Sequence, residues 1–89
     1  MSASARIVTR LAEAGETLAC AESLTAGLVA AAVADTPGAA VVLRGGIIAY
    51  AADLKVALLD VPAELVERVG TVDAGVAVAM AEGVRRRLG

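Results

Sequence analysis

Ile7, Val8 and Leu11 fall at helical spacing within residues 4–14, with Arg6, Arg10 and Glu13 on the opposite side. The pattern predicts a first helix, and Gly15 follows its last periodic residue as a stop signal. Residues 17–21 form a short apolar run, predicting a buried strand. Residues 24–34 are longer, rich in alanine and uncharged. They predict a buried helix, ended by the turn signal Asp35-Thr36-Pro37-Gly38. Two further apolar runs, residues 40–43 and 46–50, predict strand on either side of Arg44-Gly45-Gly46. The glycine pair there suggests a bulge or a close backbone approach. Three helices are expected next: residues 52–59 carrying Lys55, residues 62–69 with Pro62 near the first turn, and residues 71–88. In the last, Val72, Val76 and Met80 share one face, and Asp73 or Thr71 is the cap. Arg85, Arg86 and Arg87 lie near its C-terminal end, where the helix dipole favours cations.

The order α-β-α-β-α-α-α predicts an α/β layered domain over residues 1–89. Two or three strands are few for a sheet covered on both faces, and the chain ends after a long helix, where a further strand is due. The expectation is a partial domain, or a sheet completed by a partner chain. No internal repeat or low-complexity linker interrupts it.

Composition narrows the function. Eighty-nine residues suffice for one small domain with a modest buried fraction. Tyr50 is the only aromatic residue, so alanine and valine must build the core. A net charge of −2 and the lack of stacking aromatics speak against nucleic acid as a partner. The longest uncharged stretch, residues 23–34, has 12 residues, whereas a membrane span needs about 20. The N-terminal residues show no long apolar segment, so no secretory signal is visible. Cys20 stands alone, which excludes an internal disulfide and fits a reducing cytoplasm. The lack of histidine excludes a Ser-His-Asp triad, a Cys-His pair and any His-based zinc site within the chain. Neither a dinucleotide-binding glycine motif nor a P-loop is present.

The chemistry left is carboxylate, hydroxyl and amine. Ser23 sits between the first predicted strand and the next helix, where a serine is either a cap or a nucleophile. Thr25 offers a second capping hydroxyl. Free N–H groups at that helix start would favour an oxyanion. Lys55 is the only lysine; it is either a solvated helix residue or, if buried, a base for a serine. Tyr50 ends an apolar strand five residues earlier, and its hydroxyl either relays a proton or marks a half-buried ring with a wet tip. Glu22 either binds a substrate group or stabilises the helix start. Gly27 allows close approach of a ligand or tight packing of helix on sheet. Arg44 is a phosphate ligand or a solvated surface residue.

Three ordered stretches, AESLTAG (residues 21–27), GGIIAYAADLKVALLDV (45–61) and GTVDAGVAVAMAEG (70–83), resemble the CinA C-terminal domain family, the nicotinamide mononucleotide deamidases. The resemblance covers residues 12–89. It implies a three-layer α/β/α domain, of which this chain would be the N-terminal half or slightly more. It further implies hydrolysis of the carboxamide of nicotinamide mononucleotide to nicotinic acid mononucleotide and ammonia, with no metal or other cofactor. By motif, the nucleophile falls on Ser23, the base on Lys55 and an orienting or relaying tyrosine on Tyr50. Glu22, Thr25, Gly27, Gly45 and Gly46 become the candidate substrate-binding positions. A homo-oligomer, dimer or higher, is implied as well.

The chain departs from the family pattern at several positions. Leu24 stands for Cys or Thr, Ala26 for glycine, Ala51-Ala52 for Ser-Asn, and Asp73 for the Ser before the last helix. The family's following strand, which leads to a glycine- and proline-containing loop that helps build the pocket, is not in these 89 residues. The expectation for this chain alone is an incomplete site. The alternative is a non-catalytic relative that kept the fold as a nucleotide-binding or assembly module.

Overall fold

The computed structural model describes residues 1–89. Its elements are α1 (Ala3–Ala14), β1 (Leu18–Glu22), α2 (Leu28–Ala34), a 3-10 turn (Ala39–Val41), β2 (Leu43–Ile48), α3 (Ala52–Leu59), α4 (Ala63–Val69) and α5 (Ala74–Leu88). The strands β1 and β2 pair in parallel and form a two-stranded sheet. α2 and α5 cover its two faces: Gly46 backs onto Ala30 of α2, while its neighbour Gly45 faces Leu88 of α5. The result is the helix–sheet–helix layering expected from the sequence.

Each face has its own apolar cluster. Between the sheet and α5 lie Ala49, Leu59, Val61, Val76, Met80 and Val84, with Ala19, Ala21 and Ile47 packed against them. The other cluster is Val8, Val33, Ala39 and Val42, flanked by Leu11, Leu18 and Leu43. Side chains of a strand alternate between faces, so Leu18 and Ala19 go to opposite clusters. Leu43 joins Leu18, yet Gly45 pairs with Ala19; the register slips by one residue at Arg44. The bulge keeps Leu43 on one face and aims Ile47 at the other. It also frees the Arg44 side chain, whose Nε and Nη2 donate to the Leu88 carbonyl at 3.3 and 3.0 Å. Arg44 thus closes the C-terminus of α5 and is not placed as a phosphate ligand.

Three sequence-based boundaries change. The helix expected over residues 24–34 begins only at Leu28, because residues 23–27 form a turn. The strand expected over residues 40–43 is a 3-10 turn followed by the start of β2. Ala39 and Val42 both point into one cluster, and a spacing of three fits 3-10 geometry where a strand needs two. Val72 lies outside α5 and is 97% exposed, so it does not share the core face of Val76 and Met80. Asp73 is the cap, its carboxylate accepting from the Gly75 N–H at 2.7 Å. α3 crosses α5 at backbone contact: a Cβ at Gly83 would run into the Leu59 carbonyl. No helix is long and apolar enough to cross a membrane.

Candidate active site

Parallel sheets present their ligand sites beyond the carboxyl ends of the strands. Ser23 follows the last residue of β1, and Ala49-Tyr50 follow the last residue of β2. The Ala49 N–H donates to the Glu22 carbonyl at 2.8 Å, which holds the two strand exits side by side. Lys55, one turn into α3, reaches back across them. Its Nζ donates to Ser23 Oγ at 2.9 Å, to the Ala49 carbonyl at 2.9 Å and to the Tyr50 carbonyl at 2.8 Å.

Lys55 is 1% exposed, and no carboxylate is among its partners. The solvated-lysine reading therefore falls. Burying an amine without a counter-charge costs free energy that packing alone would not demand. The two carbonyls absorb two N–H directions. The third points at Ser23, so in the unprotonated amine the lone pair faces the serine hydroxyl.

Glu22 occupies the other side of Ser23. Its Oε1 accepts from Thr25 Oγ1 at 2.6 Å, from the Gly27 N–H at 3.1 Å and from the Val29 N–H at 2.9 Å, and its Oε2 accepts from the Ala30 N–H at 2.9 Å. Burial pushes the Glu22 carboxyl up. The hydrogen bonds from Thr25, Ala30, Val29 and Gly27 outweigh that and hold its pKa below the ordinary carboxylate value. Burial, and then the Glu22 carboxylate, push the neighbouring Cys20 thiol up. Cys20 is buried.

This arrangement relocates the expected oxyanion donors. The N–H groups of Gly27, Val29 and Ala30 are taken by Glu22, and that of Leu28 goes to the Thr25 carbonyl. The N–H groups of Ser23, Leu24 and Thr25 find no acceptor within the chain. The turn itself, rather than α2, carries the N–H groups without an acceptor. To make this turn the chain passes through left-handed backbone at Ala26 (φ 52°) and Gly27 (φ 107°).

The other expected site residues are placed unevenly. Tyr50 reaches the site through its main-chain carbonyl, while its ring is 64% exposed and its hydroxyl makes no hydrogen bond within the chain. Thr25 and Gly27 are turned toward Glu22. Gly45 and Gly46 lie mid-strand opposite Ala19 and Cys20, away from Ser23, and serve the packing of α5 and α2. The Ala49 and Tyr50 carbonyls carry no side-chain signature, so sequence reasoning had no means of finding them. No three His, Cys, Asp or Glu side chains converge as a metal site would require. Ser23, Glu22 and Thr25 open onto a cleft of about 770 Å³ along the free edge of β1, bounded on the far side by Thr71, Asp73 and Met80. That volume is in the range of small-molecule sites.

Residues 1–89 match the CinA C-terminal domain family. Over 83 residues the chain is 51% identical to a CinA-like protein of Parasynechococcus marenigrum (strain WH8102), covering 93% of this chain and 20% of the relative. It is 50% identical over 82 residues to a CinA-like protein of Anaeromyxobacter sp. (strain Fw109-5), covering 92% and 20%. Among solved structures, the competence/damage inducible protein CihA from Agrobacterium tumefaciens superposes with a TM-score of 0.90 at 33% identity, covering 94% of this chain and 51% of that one. A CinA superfamily protein from Escherichia coli gives 0.91 at 27%, covering 94% and 49%. The chain thus spans about a fifth of the length of these curated relatives and about half of these solved chains.

Proposed function

The chain belongs to the CinA C-terminal domain family, and from that premise we propose that its Ser23–Lys55 pair hydrolyses the carboxamide of nicotinamide mononucleotide. The observation that carries this reading is the 2.9 Å contact between Lys55 Nζ and Ser23 Oγ, made by a buried lysine without a carboxylate partner. Ser23 Oγ attacks the amide carbon while its proton passes to Lys55 Nζ. The free N–H groups of the turn stabilise the oxyanion that forms. Lys55 then protonates the leaving nitrogen, the C–N bond breaks, and ammonia departs from an ester on Ser23. Water, giving its proton to Lys55, attacks that ester; Lys55 returns the proton to Ser23 Oγ as the C–O bond breaks, and nicotinic acid mononucleotide leaves.

Tyr50 acts in this scheme through its carbonyl, which with that of Ala49 orients the amine. Its exposed ring remains available to a substrate or to a neighbouring subunit. The reading places the reaction in the cytoplasm and includes a homo-oligomer: exposed Leu24, Leu28 and Tyr50 give apolar surface for a second copy to cover. A non-catalytic nucleotide-binding or assembly role is the second reading, favoured by the unpartnered Tyr50 hydroxyl and by the apolar pair Ala51-Ala52 beside it.

The test is ammonia release from nicotinamide mononucleotide. It is run on this chain, on a version continued through the strands of the longer solved relatives, and on Ser23→Ala in both. Release that disappears with Ser23→Ala is the expected result. A well-folded continued protein that releases none would leave the binding or assembly role.

A further inference from the structure

Glu22 and Lys55 are the only charged side chains in the interior, and they stand on either side of Ser23 without bonding to each other. The proposed chemistry uses Lys55 and leaves Glu22 without a role. A buried carboxylate needs its hydrogen bonds filled, and the donors that fill these are not scattered. Thr25 belongs to the turn that carries Ser23, and Gly27, Val29 and Ala30 belong to the segment that follows it. One side chain at position 22 therefore grips four residues just beyond position 23.

Little else holds that turn. Gly27 provides no side-chain cap for α2. The main chain contributes the Ala26 N–H to the Ser23 carbonyl and the Leu28 N–H to the Thr25 carbonyl, both at 3.0 Å, and the first bond of α2, from the Ala31 N–H to the Gly27 carbonyl at 2.9 Å. Ala26 is held at φ 52°, a left-handed conformation that strains an alanine. Such a turn relaxes unless something outside it fixes both ends.

We propose that Glu22 is the positioning residue for the nucleophile: its carboxylate clamps residues 25–30 so that Ser23 Oγ stays on Lys55 Nζ and the N–H groups of Leu24 and Thr25 stay free. That role asks for no contact with substrate: all four hydrogen bonds that the carboxylate accepts come from residues 25–30, three at Oε1 and one at Oε2. In this proposal Glu22 and Thr25, expected from the sequence as substrate-binding positions, act together as the clamp. The kinetic part of the proposal rests on the deamidase reading; the geometric part does not.

The test compares the wild-type chain with Glu22→Gln, which keeps the shape but puts an NH₂ where one acceptor stood. Three quantities are read well below the melting temperature: labelling of Ser23 by a fluorophosphonate, amide exchange at Gly27, Val29 and Ala30, and kcat and KM for ammonia release. Faster exchange at all three amides is expected, with labelling and kcat each lowered at least tenfold and KM within twofold. Faster exchange with unchanged labelling would make Glu22 a helix cap only and overturn the proposal. A raised KM with unchanged kcat would make it a substrate ligand and overturn it equally. If the wild type is labelled but its continued version releases no ammonia, the deamidase reading fails; a tenfold loss of labelling in Glu22→Gln still supports the clamp. A wild type that is not labelled at all overturns both. Should Glu22→Gln not fold, Thr25→Val removes a single donor, and a labelling rate lowered about threefold is expected; an unchanged rate overturns the clamp.

Discussion

Lys55 Nζ lies 2.9 Å from Ser23 Oγ, although 32 positions separate the two residues in the chain. Parallel pairing of β1 with β2 brings both strand exits to one end of the sheet, and the first turns of α3 fold the lysine back over them. The contact is therefore a product of topology, and its energetics separate function from stability.

Lys55→Met tests that separation. The substitution keeps the length of the side chain and removes a buried amine, which by itself is neutral or stabilising. It also leaves the Ala49 and Tyr50 carbonyls without their donor, at about 1–3 kcal/mol each. These effects oppose one another, so the unfolding free energy from urea titration should change by less than about 2 kcal/mol. Ammonia release should fall by about a hundred- to ten-thousandfold, the range for loss of a general base. A folded Lys55→Met protein with full activity would remove Lys55 from the chemistry.

Ala26→Gly should stabilise the chain. A left-handed alanine costs about 1 kcal/mol that glycine avoids. For a domain of this size a gain of that order raises the melting temperature by about 4–8 °C. Thermal unfolding followed by circular dichroism reads the sign directly. A lower melting temperature would mean that the turn does not hold Ala26 at positive φ.

Acid stability should depend on Glu22. Its carboxyl titrates lower in the folded chain than in the unfolded one, where the ordinary value is about 4.3. The stabilisation is fully present above the unfolded value and is lost as pH falls through the folded one. Urea midpoints measured from pH 7 down to pH 3 should drop on the acid limb, and Glu22→Gln should flatten that drop. An identical acid limb in both proteins would remove Glu22 as its source.

Much of the fold was legible because local elements carry local periodicity. The α3 bounds, residues 52–59, and the core face of α5 through Val76 and Met80 follow from apolar spacing and stop signals. Where the structure departs from that reading, long-range contacts decide. Residues 24–27 have the composition of a helix, but Glu22 draws off the N–H groups that follow them, and left-handed backbone at Ala26 and Gly27 delays α2 to Leu28. Residues 40–43 read as strand until the packing of Ala39 and Val42 against α1 and α2 calls for a three-residue spacing. Arg44 reads as a surface cation, and the bulge in β2 turns it onto the end of α5.

The same division runs through the candidate site. Ser23 and Lys55 could be named from the sequence because their motifs resemble one family; position alone left a capping serine and a solvated lysine as alternatives. Side-chain identity is written in the sequence, as is the order of the helices and strands. The partners of those side chains are not. The Ala49 and Tyr50 carbonyls that aim the amine belong to the backbone, which every residue shares. Glu22 reads as a ligand or a cap until the turn closes over its carboxylate. Tertiary structure alone decided which groups face Ser23, because a hydrogen bond requires direction and separation, and the sheet that sets both is built from residues far apart in the chain.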